Sequence, residues 1–463
     1  MSDEQQHTPE SGNGRYDAFL EKAFNRVKTP FDEFIHEQTT SGLILMACTL
    51  VALVLANSPW AGAYQHLLHT EMGFSVDGWQ LQKTLLHWVN DGLMALFFFL
   101  VGLEIKREIL VGELAEPRQA VLPIVAAVGG MVVPALFYFV VNFGGAGSSG
   151  WGVPMATDIA FAVGVLVLLG SRVPKTLLTF LVALAIVDDL GAVLVIALFY
   201  TEQIVLSALA WGGGCLALLV VFNLVGIRSP LPYFVVGALL WLALLKSGVH
   251  ATLAGVITAL TIPARPKFNP PFFSRRVRAL MDEFDAHHRP GASIMTNDPQ
   301  RAVLQTLENA VHKVETPLQR LEHSLHMPVA FLIIPLFALA NAGIPLAWSQ
   351  MNKVVVDPVV LGIVSGLILG KLAGIAGVSW LAVKCGVAAL PAGVSLSQIV
   401  GVALLGGIGF TMSIFIAELA FAGQAELLLM AKTGILIASL GAGVGGYLWL
   451  RYVARPPAEA GSR

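Results

Sequence analysis

Long apolar runs alternate with short polar connections along the chain, and the runs have the length that crosses a membrane. A transmembrane helix needs about 20 consecutive apolar residues, and the sequence contains about twelve such runs. We predict spans at 41–57, 86–106, 119–142, 151–170, 176–200, 204–226, 231–246, 249–262, 327–347, 358–383, 393–419 and 425–450. The pattern predicts an all-α polytopic membrane protein.

The polar segments divide this map into regions. Eight spans fall in 41–262 and four in 325–452, with polar tails at 1–40 and 453–463. The long loop 263–324 between them is rich in Pro, Arg and His. We expect its first half to be irregular. In its second half apolar residues recur at helical spacing, which predicts amphipathic helix interrupted at Pro317.

Composition and charge agree with a membrane protein. Hydrophobic residues make up 56% of the chain and charged residues 13%, whereas a soluble domain has about 25% charged residues. On the span map, 23 of the 28 Lys and Arg residues fall on the side of both termini. Because cytoplasmic loops carry the excess of positive charge, we expect both termini to be cytoplasmic. We expect no nucleic-acid partner.

A candidate hairpin lies between the first two spans, at 73–82. Asp77-Gly78 stands between Val76 and Trp79, which is a good two-residue hairpin signal. An isolated hairpin is only marginally stable in water, so it could pair with a second copy of itself. An ordinary turn is the alternative that the sequence leaves open.

The most informative residues are two adjacent acids within the span 176–200. Asp189 lies about 21 Å of helix from Lys175 and about 16 Å from Tyr200, which places Asp188 and Asp189 near the bilayer midplane. Each charged residue there costs about 2.5–3.5 kcal/mol, and such residues usually face a wet cavity or a partner charge. The pair is therefore the leading candidate for a functional site.

Two other spans contain interruptions at their centres. The span 151–170 contains Thr157-Asp158, residues that favour helix N-caps over helix interiors. The span 393–419 contains Gly406, Gly407 and Gly409, which weaken a helix. Each lies within a three-span group, 119–200 or 358–450. We therefore predict two broken helices within repeated groups of three.

Broken helices expose partial charges inside the membrane, and two further charged residues could offset them. Half-helix N-termini are positive and C-termini negative, so Asp158 is placed to offset N-termini. Lys371, in the middle of the span 358–383, could offset C-termini or pair with an acid. Because adjacent helical residues point about 100° apart, we expect Asp188 to pair with Lys371 and Asp189 to bind an ion.

Six motifs in order resemble the NhaA family of sodium/proton antiporters over roughly residues 38–450. They are NDGLMALFFFLVGLEIKRE, PMATDIAFAVGVL, ALAIVDDLGAV, SGVHATLAGV, RLEHSLH and GGIGFTMSIFIAELAF. The resemblance implies twelve transmembrane helices, inverted three-helix repeats and two broken, crossing helices. Paired interrupted spans in two halves fit such a transporter, although that pattern was itself described partly on this family.

The resemblance also implies an activity and a set of site residues. The activity is electrogenic export of Na⁺ or Li⁺ in exchange for protons, regulated by pH, by a homodimer of the bacterial inner membrane joined through the hairpin. No cofactor is implied beyond the transported ions. The implied ion and proton site comprises Asp188, Asp189, Thr157, Asp158 and Lys371, with Asp188 and Asp189 as the Na⁺ or Li⁺ ligands. Asp91 lines the second span, and positions linked to pH response match Glu104, Arg107, Glu108, His250 and Glu322.

The sequence departs from the family pattern in the length of one loop. The loop 263–324 is longer than the resemblance requires, and Glu322 lies at its end, so the pH-responsive region could be displaced or covered.

A symporter that couples Na⁺ to an organic solute is the nearer alternative to antiport. An intramembrane aspartyl protease also uses two acids, but those come from separate helices, and the sequence has no GxGD pattern. We therefore expect a transporter and not an enzyme.

Overall fold

The described chain is built from helices apart from one two-stranded hairpin. The computed structural model describes residues 30–76, 79–201, 204–288, 293–345 and 354–454. Most of the two predicted tails and the predicted turn residues Asp77 and Gly78 lie outside these ranges.

Each predicted span contains helical residues. In chain order the α-helices of this group are Pro30–Ala56, Leu85–His87, Met94–Val111, Pro117–Asn142, Ile159–Val167, Lys175–Phe199, Leu206–Val225, Pro230–Ser247, Leu253–Thr261, Pro317–Pro328, Ile334–Asn341, Pro358–Ser365, Val378–Lys384, Leu396–Leu405, Phe410–Ala420 and Ala425–Leu448. Wider π-helical turns extend or join them at Trp88–Leu93, Val329–Ile333, Gly366–Gly370, Leu372–Gly377 and Trp449–Val453. The first helix begins at Pro30, well before the predicted span 41–57, and a short helix, Ala61–Leu68, follows it.

The membrane-spanning character of the fold is clear from helix length and composition. Within the described ranges, seven continuous helices are long and apolar enough to cross a membrane, and up to ten spans result if each bent helix pair counts as one. The predicted all-α polytopic fold is confirmed, whereas the count of twelve stays a prediction. Two predicted spans fall outside this set, because Met94–Val111 ends in several charged residues and Leu253–Thr261 has only nine residues.

The hairpin consists of strands Glu71–Val76 and Trp79–Thr84. They pair antiparallel, with Val76 opposite Trp79 at the closed end and Glu71 opposite Thr84 at the open end. This register leaves two residues between the strands, as the Asp77-Gly78 signal predicts. The indole of Trp88 donates to the carbonyl of Met72 at 2.9 Å and so ties the hairpin to the helix that follows.

The long loop contains a helical hairpin, so the predicted irregular first half is wrong. Pro270–Ala286 forms a helix that is capped by Asn269 and packs against Asp298–Val314. Leu280, Val303 and Ala310 form a small core between the two helices. Several Pro and Arg residues obscure the apolar periodicity of the first helix. The predicted interruption at Pro317 is present, because a new helix starts there with Thr316 and Gln319 as a capping box.

Both predicted broken helices are present. The first broken helix consists of the 3₁₀ segment Ala146–Met155 and the α-helix Ile159–Val167, which meet at a bend of 43°. The second broken helix consists of Leu396–Leu405 and Phe410–Ala420, with a bend of 49°. The inverted relation between the two three-helix groups that contain them stays a prediction.

A glycine contact fixes the helix that carries Lys371. This lysine helix, Pro358–Lys384, packs so closely on Pro117–Asn142 that a Cβ on Gly129 would lie 2.5 Å from the carbonyl oxygen of Gly374. A Cβ on Gly130 would lie 2.7 Å from Cγ1 of Ile375 on the same lysine helix, so a second glycine is needed at this contact. Small residues let membrane helices approach in this way.

We expect Gly374→Val to destabilise the protein by about 1–3 kcal/mol, because the branched side chain must push the two helix backbones apart. Thermal unfolding of the purified protein in detergent measures the effect. Gly377→Val is the matched control, since it lies in the same π-helical turn and a Cβ there would meet no atom within 4 Å. Equal losses of thermal stability in both variants would show that the destabilisation comes from the helix propensity of valine and not from the close contact.

Candidate ion-binding site

The two broken helices cross at their non-helical segments. The backbone N–H of Asp158 donates to the carbonyl of Ile408 at 2.6 Å, and the hydroxyl of Thr157 donates to the carbonyl of Gly406 at 2.9 Å. Thr157 and Asp158 are both buried. The crossing thereby satisfies backbone groups that the bilayer core cannot hydrate.

Asp158 caps two helices at once. Its Oδ1 accepts from the backbone N–H of Phe161 at 3.1 Å, at the start of the helical half of its own broken helix. Its Oδ2 accepts from the backbone N–H and the hydroxyl of Thr411, at 2.9 and 2.5 Å, at the start of Phe410–Ala420. A carboxylate therefore lies between two half-helix N-termini, where the partial charge is positive. This is the offset that the sequence predicts for Asp158.

Lys371 joins the crossing to the acidic pair. Its Nζ donates to Oδ2 of Asp188 at 2.8 Å and to the hydroxyl oxygen of Thr157 at 2.9 Å. The lysine is fully buried. Through Thr157 it lies near the carbonyl of Gly406, at the negative C-terminal end of Leu396–Leu405. The sequence predicts that Lys371 offsets a helix C-terminus or pairs with an acid. In the structure the lysine does both.

The two acids of the pair have different surroundings. Asp188 Oδ2 is held by Lys371, and Asp188 Oδ1 makes no hydrogen bond to any described residue. Asp189 lines a cavity of about 430 Å³, and within the described residues its carboxylate has neither an ion pair nor a hydrogen bond. Asp188 is therefore neutralised by a lysine, while Asp189 is the acid that a solvated ion in the cavity can reach.

The cavity runs from Asp189 to a polar mouth. The exposed fraction is 4% at Asp189 and 34% for the Arg107 side chain, so the cavity opens at the Arg107 end. Residues with ionisable side chains on its wall, besides Asp189, are Glu104, Arg107, Glu322, His323 and His326. An ion entering there passes charged groups before it reaches the buried acid.

Ion pairs connect the side chains at the mouth. Arg107 binds Glu322 at 2.7 Å and Glu108 at 2.8 Å. Glu108 also accepts from the backbone N–H of Glu113 at 2.9 Å, and Glu104 lies 4.0 Å from Nδ1 of His326. The long helical hairpin does not displace Glu322, which still pairs with Arg107.

Two of the residues singled out in the sequence lie away from this cavity. His250 contacts the carbonyl of Tyr200, at the opposite end of Lys175–Phe199 from the cavity mouth. Asp91 lies in the π-helical turn Trp88–Leu93 and lines a small cleft with Lys83 and Trp241. The structure therefore does not bring either residue to the acidic pair.

Sequence reasoning missed several contributors. Thr411 has no role predicted from the sequence, yet it donates two hydrogen bonds to Asp158. His323 and His326 occur in the RLEHSLH motif without an assigned role, yet both line the cavity. Their helical spacing of three residues was the available signal, because it places them on one face. In the described residues no group of three or more His, Cys, Asp and Glu side chains could hold a metal ion.

Comparisons with known proteins agree with one another. The family model described as Na⁺/H⁺ antiporter 1 matches residues 32–450. The chain is 57% identical to "Na(+)/H(+) antiporter NhaA 1" of Saccharophagus degradans, over 96% of this chain and 95% of that protein. It is 54% identical to "Na(+)/H(+) antiporter NhaA" of Sulfurimonas denitrificans, over 94% and 98%. For the protein of the same name from Dichelobacter nodosus the identity is 47%, over 94% and 93%.

We expect Asp158→Asn to lower the stability of the protein by about 1–3 kcal/mol, since the charge between two helix N-termini is lost. The amide nitrogen would also face a donor from Thr411 or Phe161. Thermal unfolding measures the effect.

Asp357→Asn is the matched control for this variant. Asp357 caps a single helix through the backbone N–H of Val359, at 2.8 Å, and Asn caps one helix about as well as Asp. Equal destabilisation of the two variants would contradict the double cap.

Proposed function

We propose a mechanism that starts from one premise: this chain belongs to the Na⁺/H⁺ antiporter 1 family and is a sodium/proton antiporter. It is thus a multi-pass membrane transporter, not an enzyme in the usual sense. The observation that carries the mechanism is the unequal environment of two adjacent acids. Asp188 is paired with Lys371, and Asp189 faces a cavity.

Asp189 is the first ligand of the transported cation in this proposal. Na⁺ and Li⁺ are written here as substrates, and as hard cations they prefer oxygen ligands. Asp188 Oδ1, which makes no hydrogen bond to a described residue, is the second. The Thr157 hydroxyl and water molecules complete the shell. No cofactor enters the scheme.

Competition between cation and protons converts binding into exchange. The same carboxylate oxygens accept Na⁺ or H⁺, so each ion lowers the apparent affinity for the other by the same factor. When the site opens alternately to the two sides of the membrane, release of one ion follows uptake of the other. When Asp188 and Asp189 each take up a proton, Asp188 releases Lys371, and two protons have then replaced one cation, so transport moves net charge.

Lys371 has partners both before and after a cation binds the two acids. While its ammonium pairs with Asp188, the buried charges are balanced and the cation has only Asp189 to neutralise it. When a cation binds both acids, the ammonium retains the hydroxyl of Thr157 as a partner and remains near the Gly406 carbonyl. Lys371 therefore has a stabilising environment in both states.

The mouth residues form the proposed pH-responsive region. Glu104, Arg107, Glu108 and Glu322 are close enough for protonation of one to alter the ion pairs of the others. We place His250 in a separate region, since it contacts Tyr200. The cavity mouth and both termini are cytoplasmic in this proposal, the protein exports sodium across the bacterial inner membrane, and two copies join through the hairpin at 73–82.

We expect Asp189→Asn to abolish exchange and sodium binding, because the cation loses its accessible ligand. Asp188→Asn should bind sodium more weakly, but retain more affinity than Asp189→Asn. Sodium-induced dequenching of a ΔpH dye in everted vesicles measures exchange, and isothermal titration of the purified protein measures binding. Asp282→Asn, on an exposed helix of the loop, is the control.

Two outcomes would contradict this assignment. Equal losses of sodium affinity in the two variants would remove the division of roles between the acids. Sodium-dependent proton movement that appears only when an organic solute is added would indicate symport, so the vesicles are assayed without organic solutes.

We also expect exchange to fall as the pH is lowered, because protons then occupy the carboxylates. For each competing proton, the apparent sodium affinity should fall by up to about tenfold per pH unit. The same vesicles, assayed from alkaline to acidic pH at several sodium concentrations, provide the measurement. An exchange rate that is equal across this range at low sodium would rule out direct competition.

A further inference from the structure

An apolar groove lies between three helices and shares no lining residue with the ion cavity. Its volume is about 260 Å³. Its walls come from the helical run that contains Trp88 and Phe99, from Pro230–Ser247 and from Leu253–Thr261. Trp88, Phe99, Phe234, Ala238 and Trp241 contribute side chains to its lining.

The length and the apolar walls of the groove suit a hydrocarbon chain. From Trp88 to Phe99 it extends for about 16 Å along the helix. Gly92, Gly237 and Gly255 line it without side chains, while Phe99 and Phe234 provide apolar walls. Protein interiors contain few voids larger than a water molecule, and an apolar cavity of roughly 150 Å³ already holds benzene. A groove of this size in a membrane protein therefore suits an alkyl ligand.

Two stacked indoles mark one end of the groove. The rings of Trp88 and Trp241 lie 6.0 Å apart. Each indole N–H is fixed by a backbone carbonyl, of Met72 for Trp88 and of Asp91 for Trp241. Tryptophan is enriched where the bilayer meets water. The indole pair therefore sets the level at which an alkyl chain would end and a polar headgroup would begin.

Charged residues lie immediately beyond the indoles. Lys83, His87 and Asp91 line a small cleft that shares Trp88 and Trp241 with the groove. Lys83 and Asp91 both line this cleft, and no ion pair joins them in the described residues. His87 is held by the hydroxyl of Thr84 at 2.7 Å. The cleft thus presents one ammonium and one carboxylate, each available to a ligand of opposite charge.

We propose that the groove and cleft together bind one phospholipid whose headgroup carries a phosphate and a primary ammonium. One acyl chain lies in the groove, the phosphate contacts Lys83 and the ammonium contacts Asp91. The pairing of charges favours this zwitterionic headgroup over a purely anionic one, which Asp91 would repel. This assigns Asp91 a binding role that is separate from ion exchange.

Native mass spectrometry of the delipidated full-length protein tests the proposal. The probes are a phosphatidylethanolamine and a phosphatidylglycerol with identical acyl chains. Ala238→Trp fills the groove from its exposed wall. It should weaken binding of the first phosphatidylethanolamine molecule that the protein retains by roughly tenfold. Leu239→Trp is the matched control, because Leu239 is 51% exposed and does not line the groove.

Headgroup variants test the polar half of the site. Lys83→Ala should weaken binding of both lipids by about fivefold. Asp91→Asn should reduce the preference for phosphatidylethanolamine, with a smaller effect on phosphatidylglycerol. Gel filtration of every variant establishes that it is folded before its lipid binding is compared.

Three results would overturn the proposal. Equal lipid retention in Ala238→Trp and Leu239→Trp would show that the groove holds no acyl chain. Equal or tighter binding of phosphatidylglycerol by the unsubstituted protein would contradict the headgroup assignment. If Ala238→Trp instead converted a dimer to a monomer at unchanged lipid retention, the occupant would be a second copy of this chain, whose hairpin lies beside the cleft.

Discussion

Helix ends in the middle of a membrane must be neutralised, and the rest of the site depends on how this protein does it. Breaking two helices frees backbone N–H and C=O groups where no bulk water can bind them. Asp158 accepts from the starts of two half-helices, and Lys371 lies near the end of a third, through Thr157. The cost of each buried charge, about 2.5–3.5 kcal/mol in isolation, is offset by these helix dipoles and hydrogen bonds.

This arrangement explains why adjacent acids can act differently. Asp188 and Asp189 differ by one helical position, so they point about 100° apart. One direction meets Lys371, and the other meets the cavity. A broken helix supplies the lysine with a second anchor at Thr157, so the lysine need not depend on the acid alone. The geometry that stabilises the crossing is therefore also the geometry that leaves one carboxylate accessible.

The surrounding fold fixes the positions of these charged residues. The contact between Gly129 and Gly374 brings the backbone of Pro117–Asn142 close to that of the helix that carries Lys371. The long loop carries its own core at Leu280 and Val303, and a new capped helix begins near its end, at Pro317. The additional residues thus form a separate helical hairpin, and the mouth of the cavity retains its ion pairs.

The sequence by itself determined the membrane class, the two broken helices and the acids at mid-span. These follow from local properties: run length, helix-breaking residues, and the cost of charge in hydrocarbon. Local pattern failed for Pro270–Ala286, where Pro and Arg residues obscured a helix. Only the tertiary structure decided that Thr411 binds Asp158 and that His250 and Asp91 lie apart from the cavity. Such partners are far apart along the chain, and helix packing, which no single segment encodes, brings them together or separates them.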